Sequence, residues 1–225
     1  MQTLQHYKSK PGTANIMRSV LIGALDLAFT EQRVDRNVAR DTRPFKVARR
    51  TRYLTDEEFS AIRRHASPLV QCLMDMLYLT GQRIGDVLKI RLADISPDGI
   101  YIEQQKTHHR MQIKMTPELQ SVIAEAKRLN KSVKGLTLFH RRDGQPYLYD
   151  YIRQAFNAAT KEAGVKDARM HDIRAKSGTD ADKQGLDSMA LLGHKSESSH
   201  NRYLRSKEIP MVSAMSFRNS KTKQA

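Results

Sequence analysis

Apolar residues recur at helical spacing along most of this chain, and strict alternation of apolar with polar residues is confined to two neighbouring stretches. Those stretches are Gly99-Ile100-Tyr101-Ile102-Glu103-Gln104-Gln105 and Met111-Gln112-Ile113-Lys114-Met115, which read as the two strands of a hairpin. The contrast predicts a mainly α fold with a small antiparallel β-sheet, an α+β arrangement with the sheet near the front of its domain.

The helical segments carry their own punctuation. Residues Ala14 to Phe29 place Ile16, Met17, Val20, Leu21, Ala24, Leu25, Leu27 and Ala28 at helical spacing. Alone, such a helix has nothing to pack against, so it looks like the last part of a helical domain. Asp41 to Tyr53 then brings Arg43, Lys46, Arg49, Arg50 and Arg52 with little periodicity, the mark of a basic linker. It is either a solvated tether or a strap over phosphates, with Arg49, Arg50 and Arg52 as candidate DNA contacts. The main domain starts at Leu54. Thr55-Asp56-Glu57-Glu58 is a capping box, and Ser67-Pro68 opens a helix that ends near Gly81. Thr116-Pro117-Glu118 starts a helix to about Asn130, and Asp150 caps one that ends at Gly164. From His171 onward the pattern is helical again, interrupted at Gly185 and Gly193, and the tail from Ser206 to Ala225 is polar. No internal repeat is visible.

Composition narrows the partner. The 225 residues carry a formal charge of +15 with His neutral, which attracts polyanions, and nucleic acid is the commonest of these inside a cell. Charge alone leaves an unrelated basic protein equally open. Trp is absent and aromatics are 6%, so stacking on bases is not the expected main mode of binding. The single Cys72 sits in an apolar run and reads as inert core packing, with neither a disulfide framework nor zinc spacing. No signal peptide or long apolar span is visible, so a soluble, intracellular protein is expected.

Four islands carry chemistry. They are Thr80-Gly81-Gln82-Arg83-Ile84-Gly85-Asp86, then Gln105-Lys106-Thr107, then His171-Asp172-Ile173-Arg174, then Leu192-Gly193-His194 with Tyr203 nine residues beyond that His. The spacing of three puts His171 and Arg174 on one helical face. Each island alone has an ordinary structural explanation: a surface Arg, a solvated Lys, a capped helix end, a packed Tyr. Their joint occurrence in this order, in a basic chain, is what stands out.

Over about Leu54 to Arg205 the chain resembles the catalytic domain of the tyrosine recombinase (phage integrase) family. That family's pattern is Arg after Thr-Gly, a hairpin Lys, His-x-x-Arg, Leu-Gly-His and a following Tyr. The matching positions are Arg83, Lys106, His171, Arg174, His194 and Tyr203. The resemblance implies residues 54–205 as the catalytic domain, 44–53 as the linker, and 1–43 as the remnant of a helical core-binding domain. It implies a tail, 206–225, that docks on a neighbouring subunit, although a helix folding back on its own domain is the plainer reading. Two positions depart from the family: Ala175-Lys176-Ser177 stand where a second His often follows the box Arg, and His200 stands where Thr often precedes the Tyr.

The reaction so implied is transesterification at a DNA phosphodiester, in which two always-charged guanidiniums, Arg83 and Arg174, hold the equatorial oxygens of the transition state. Tyr203, with an ordinary phenol pKa of ~10, is the nucleophile and needs help to attack. His171 accepts its proton, His194 donates a hydrogen bond to a phosphate oxygen, and Lys106 protonates the leaving 5′-oxygen. The covalent 3′-phosphotyrosyl link conserves the bond energy, so rejoining needs no ATP. No cofactor or metal is called for, since the cations supply the charge a metal would bring. Asp86, a turn past Arg83, is a candidate for orienting an arginine, while Asp172 reads as a cap. His108, His109 and Arg110 stay unassigned between DNA contact and solvated turn, and Tyr147, Tyr149 and Tyr151 are taken as packing. The expected partners are double-stranded DNA and three further copies in a homotetramer, in a bacterial or phage setting in the cytoplasm. Two competing readings stand: a truncated, non-catalytic DNA-binding relative that occupies sites, and a type IB topoisomerase.

Overall fold

The computed structural model describes residues 9–48, 50–129, 135–194, 196, 197 and 204. The chain divides into two compact units, residues 1–51 and 52–225.

In the first unit, Pro11 supplies the first-turn proline of helix α1 (Pro11–Thr30), three residues ahead of the periodic run. The helix is tied to the following segment by polar clamps. Asn15 donates Nδ2 to the Phe45 carbonyl (2.9 Å) and accepts the Phe45 amide on Oδ1 (2.8 Å). Arg18 donates to the Thr42 carbonyl at 2.7 Å, and Arg40 forks onto Asp26 at 2.9 Å on both oxygens. A 3-10 turn, Val38–Asp41, is capped by Asn37. Apolar burial is slight: Ala14 and Ala39 are buried, while Ile16, Val20, Leu27 and Phe29 are more than half exposed.

The second unit is organised around one helix. Ser67 caps α3 (Pro68–Thr80), Pro68 starts it, and Gly81 ends it in the left-handed conformation at φ 63°. Val70, Cys72, Leu73, Met74, Met76 and Leu77 are all buried, because neighbours cover α3 on several sides. These are α5 (Pro117–Leu129) and α7 (Met170–Lys183), which pack directly on it. Helix α2 (Asp56–His65) begins with the expected capping box, formed by Thr55 and Glu58, and packs on α6 (Tyr149–Glu162). The four-residue α4 (Ile84–Val87) follows Arg83, and α8 (Ser188–Leu192) packs on α7. Among the described residues no helix is long and apolar enough to cross a membrane.

The sheet has order β1-β2-β3, antiparallel throughout: β1 (Ile95–Ser96), β2 (Gly99–Glu103) and β3 (Arg110–Lys114). Ile102 faces Met111 and Tyr101 faces Gln112 across the hairpin, with Ile100 and Ile102 buried on the inner face. Gly99 permits a close crossing, since a Cβ there would lie 2.1 Å from the Ile113 carbonyl oxygen.

The structure corrects two boundaries and adds a strand. The strand expected to reach Gln105 stops at Glu103, where the turn begins: the Gln104 amide still bonds the His109 carbonyl at 2.9 Å, but the Gln105 amide turns away to Asp86 at 3.0 Å. Asp150 is not the cap of α6: the cap is Leu148, with no side-chain bond, and Asp150 sits in the first turn against Arg153 at 3.1 Å. The two-residue β1 was not foreseen, since two residues are too few to show alternation.

Candidate active site

The first arginine is placed by the end of α3. The left-handed Gly81 turns the chain, Gln82 goes fully inward, and Arg83 takes the extended N-cap position of α4 with one fifth of its side chain exposed. Its Nη1 donates to Gln104 Oε1 at 3.2 Å and lies 3.8 Å from Asp86 Oδ2. Asp86 is 5% exposed, and its other oxygen accepts the Gln105 amide at 3.0 Å. The carboxylate therefore pins the hairpin end and faces the arginine at once.

Arg174 lies on α7 and is 1% exposed. Nη1 donates to the Gly81 carbonyl and Nη2 to the Leu192 carbonyl, both at 2.6 Å. Those carbonyls close α3 and α8, where unpaired backbone oxygens concentrate negative partial charge. One guanidinium so satisfies two helix ends, which is how a full charge is held with almost no water. Nη2 also lies 3.2 Å from His194 Nε2. A ring nitrogen that accepts from Arg174 leaves the proton of a neutral His194 on Nδ1.

A pair of buried amides joins these groups. Gln104 Nε2 donates to the Leu192 carbonyl (3.0 Å) and to Gln82 Oε1 (2.8 Å), while its Oε1 accepts from Arg83 and from Thr107 Oγ1 (2.8 Å). Gln82 Nε2 in turn donates to the Leu191 carbonyl at 2.7 Å and to the Thr80 carbonyl at 3.0 Å. Arg83, Gln104, the Leu192 carbonyl, Arg174 and His194 thus form one continuous hydrogen-bonded path. Gly193, at φ 61°, is required beside it: a Cβ there would sit 2.7 Å from Gln104 Nε2.

His171 is exposed in the first turn of α7, on the face it shares with Arg174. Lys106 is exposed in the hairpin turn, whose shape is set by the Thr107 bond and by the His108 amide reaching the Gln104 carbonyl at 2.8 Å. Arg50 is half-buried. Arg52 forks onto Glu58 at 2.9 and 3.1 Å and also reaches the Lys166 carbonyl at 3.0 Å, so its guanidinium is engaged within the protein. Tyr203, His200, Arg49 and the segment 205–225 lie outside the described residues.

The two glutamines were missed by sequence reasoning, yet one signal was present. Ile100, Ile102 and Gln104 share the inward parity of β2, and an amide at the third such position marks a buried polar partner.

The model of the phage integrase family matches residues 52–208. The chain belongs to the phage integrase family. Among phage integrases, it is 28% identical over 209 residues to the integrase of Escherichia phage HK022, covering 87% of this chain and 58% of that relative. It therefore spans somewhat under two thirds of the curated integrases it resembles. A lambda integrase (75–356) dimer bound to a COC′ core site superposes with a TM-score of 0.81 at 25% identity, covering 95% of this chain and 82% of that one. A lambda integrase tetramer bound to a Holliday junction gives 0.80 at 25% identity, covering 93% and 65%. The mainly helical domain with a small antiparallel sheet is the fold of these integrases.

Among the residues set aside as structural in this phage-integrase domain, Asp172, Cys72 and Tyr147 behave so, whereas Tyr149, half exposed, is not packed as expected. Asp172 accepts the Arg169 amide at 2.9 Å and caps α7. Cys72 is buried and reaches the Val122 carbonyl at 3.3 Å, and burial pushes its thiol up to about 12. Tyr147 stacks on Tyr151 at 5.7 Å, while Tyr149 and Tyr151 are half exposed. Lys176, at one of the positions departing from the family pattern, is 2% exposed and bonds Asp56, Asp180 (2.8 Å) and the Tyr53 hydroxyl (3.2 Å).

Proposed function

We propose that this chain is a site-specific DNA recombinase that cuts and rejoins double-stranded DNA through a covalent 3′-phosphotyrosyl intermediate at Tyr203. The observation that carries the reading is the convergence of Arg83, Arg174 and His194 through Gln104 and the Leu192 carbonyl, in a member of the phage integrase family.

In this reading Arg83 and Arg174 bind the non-bridging oxygens of the scissile phosphate, where negative charge accumulates as the phosphorus becomes pentacoordinate. Both are held before substrate arrives, so little reorganisation is needed when the charge develops. Loss of either costs about 3 kcal/mol or more of transition-state stabilisation. His194 donates from its remaining ring N–H to a phosphate oxygen. His171 takes the phenol proton of Tyr203 as the tyrosine oxygen bonds to phosphorus. The bond from phosphorus to O5′ breaks in the same displacement, and Lys106 gives the leaving oxygen its proton. Reversal with a different 5′-hydroxyl exchanges strands without net loss of phosphodiester bonds. Asp86 orients Arg83.

The domain plan is 1–43 as helical core-binding-domain sequence, 44–53 as a linker, 54–205 as the catalytic domain and 206–225 as a docking tail. The two compact units and the start of the family match at residue 52 support a division there. Arg49 and Arg50 contact phosphates from the linker. The working assembly is a homotetramer on DNA, a reading supported by the similarity to lambda integrase in its junction-bound tetramer. The site of action is the cytoplasm.

The deciding experiment incubates the chain with a duplex nicked near the cleavage site, so that cut product diffuses away. A covalent protein–DNA band that disappears in Tyr203→Phe supports the recombinase. DNA binding with no band from the native sequence refutes it and leaves a DNA-binding relative without catalysis. Relaxation of plasmids without regard to sequence would instead indicate a topoisomerase.

A further inference from the structure

Gln104 is fully buried, and every hydrogen-bonding valence of its side chain is used. Its oxygen accepts from Arg83 and from Thr107, and its nitrogen donates to Gln82 and to the Leu192 carbonyl. Each partner belongs to a different piece of the site. Arg83 begins α4, Thr107 neighbours Lys106 in the hairpin turn, Gln82 follows α3, and Leu192 ends α8 two residues before His194. The Leu192 carbonyl is also the acceptor that Arg174 uses. Gln82 continues the same network, reaching Leu191 and Thr80, and is itself fully buried.

The geometry points to Gln104, backed by Gln82, as the positioning residue that sets the separation of the two arginine side chains and docks the Lys106 turn beside them. The inference rests on the recombinase reading above for its consequence, although the positioning itself is a property of the folded protein. The physical case is the donor and acceptor pattern. An amide presents an acceptor and a donor at fixed spacing, so it can face a guanidinium on one side and a carbonyl on the other. A carboxylate would repel the Leu192 carbonyl, and an apolar side chain would hold neither. Any shift of Gln104 would move Arg83 and the carbonyl beneath Arg174 together. Misplacement by roughly 1 Å in a preorganised site costs on the order of 100-fold in rate.

The test compares the native full chain with Gln104→Met, which keeps volume and removes every hydrogen bond, and with Thr107→Val, which removes one bond from a less buried position. Single-turnover cleavage of the nicked duplex is measured with an ordinary scissile phosphate and with a methylphosphonate in its place. The methyl group removes a non-bridging oxygen and the phosphate charge, so a misplaced arginine matters less there. We expect Gln104→Met to cleave the ordinary duplex roughly 100-fold more slowly with unchanged DNA affinity. The penalty should shrink on the methylphosphonate, and Thr107→Val should show the same trend more weakly. Native-like cleavage by Gln104→Met, or an equal loss on both duplexes, overturns the inference. If the native chain forms no adduct, the recombinase reading has failed, and guanidinium NMR signals then decide the positioning. Arg83 and Arg174 signals that both move in Thr107→Val or Gln104→Met uphold it, and signals unchanged from native reject it.

Discussion

Arg174 and Arg83 share a proposed task but differ in how the fold holds them, and the difference is measurable. Arg174 is 1% exposed and satisfies two helix-terminal carbonyls, whereas Arg83 is one-fifth exposed and meets one amide oxygen. Removing Arg174 strands the Gly81 carbonyl in a buried site, at a cost of about 1–3 kcal/mol for such a group. Arg174→Ala is therefore expected to lower the melting temperature clearly and to abolish adduct formation. Arg83→Ala is expected to abolish the adduct with a much smaller thermal shift. Equal melting temperatures for the two variants would show that Arg174 has no structural share. Nonspecific DNA binding should survive in both, because many other cations remain.

At the scale of elements, α7 unites the site with the body of the domain. Gly178 faces Leu192, whose Cδ1 would lie 2.6 Å from an added Cβ, and Leu192 is fully buried. Gly178→Ala thus pushes on the residue whose carbonyl both Arg174 and Gln104 use. Overpacking of this kind costs about 1–3 kcal/mol, and cleavage should fall together with stability. Two residues earlier, Lys176 is held by Asp56 and Asp180 and lies 5.1 Å from the Tyr53 ring centre and 5.5 Å from that of Tyr78. It joins α7 to the start of α2. Lys176→Met leaves the partly buried Asp180 against two tyrosine hydroxyls without its cation, and a loss of about 3 kcal/mol is expected from chemical denaturation. Unchanged stability would mean that the aromatic and aspartate partners suffice alone.

For the whole molecule, three titrations bear on stability at high pH. Burial pushes the Cys72 thiol from 9.0 up to about 12, and burial with the Asp180 carboxylate pushes the Tyr78 phenol from 10.0 up to about 12. Both are acids whose neutral form the fold favours, so their contribution is complete below their ordinary values and is lost as pH rises through the folded ones. Lys176 works in the same window. Burial opposes its charge, but the hydrogen bonds it donates to Asp180, Asp56 and Tyr53 outweigh this and raise its pKa, so its contribution fades above 10.5. Melting temperature should therefore hold steady approaching pH 9 and decline from pH 9 to 12. The formal charge of +15 governs a different observable. Duplex affinity should fall on the order of 1,000-fold between about 50 and 200 mM salt if roughly six phosphates are contacted. A flat salt response would contradict the DNA-binding reading.

Much of this is legible in the sequence. Caps and stops lie in the local chain, so Thr55 with Glu58, Ser67 with Pro68, and Gly81 marked helix ends that the structure reproduces. Local chemistry decides a helix end because its unpaired amides and carbonyls can be satisfied within a few residues. Asp150 shows the limit: a capping residue type does not become a cap when the helix starts two residues earlier than it would dictate. The ordered islands around Arg83, Lys106, His171, Arg174 and His194 were equally visible, because residue type and order along the chain are themselves the signal. Their mutual distances were not. Whether Arg174 is buried, which carbonyls it bonds, and that Gln104 lies between two arginines depend on segments as much as 93 residues apart being brought together. Only the packing of α7 against α3 and of α8 against α7 decides that, since a buried polar group takes whichever partners the fold leaves within reach.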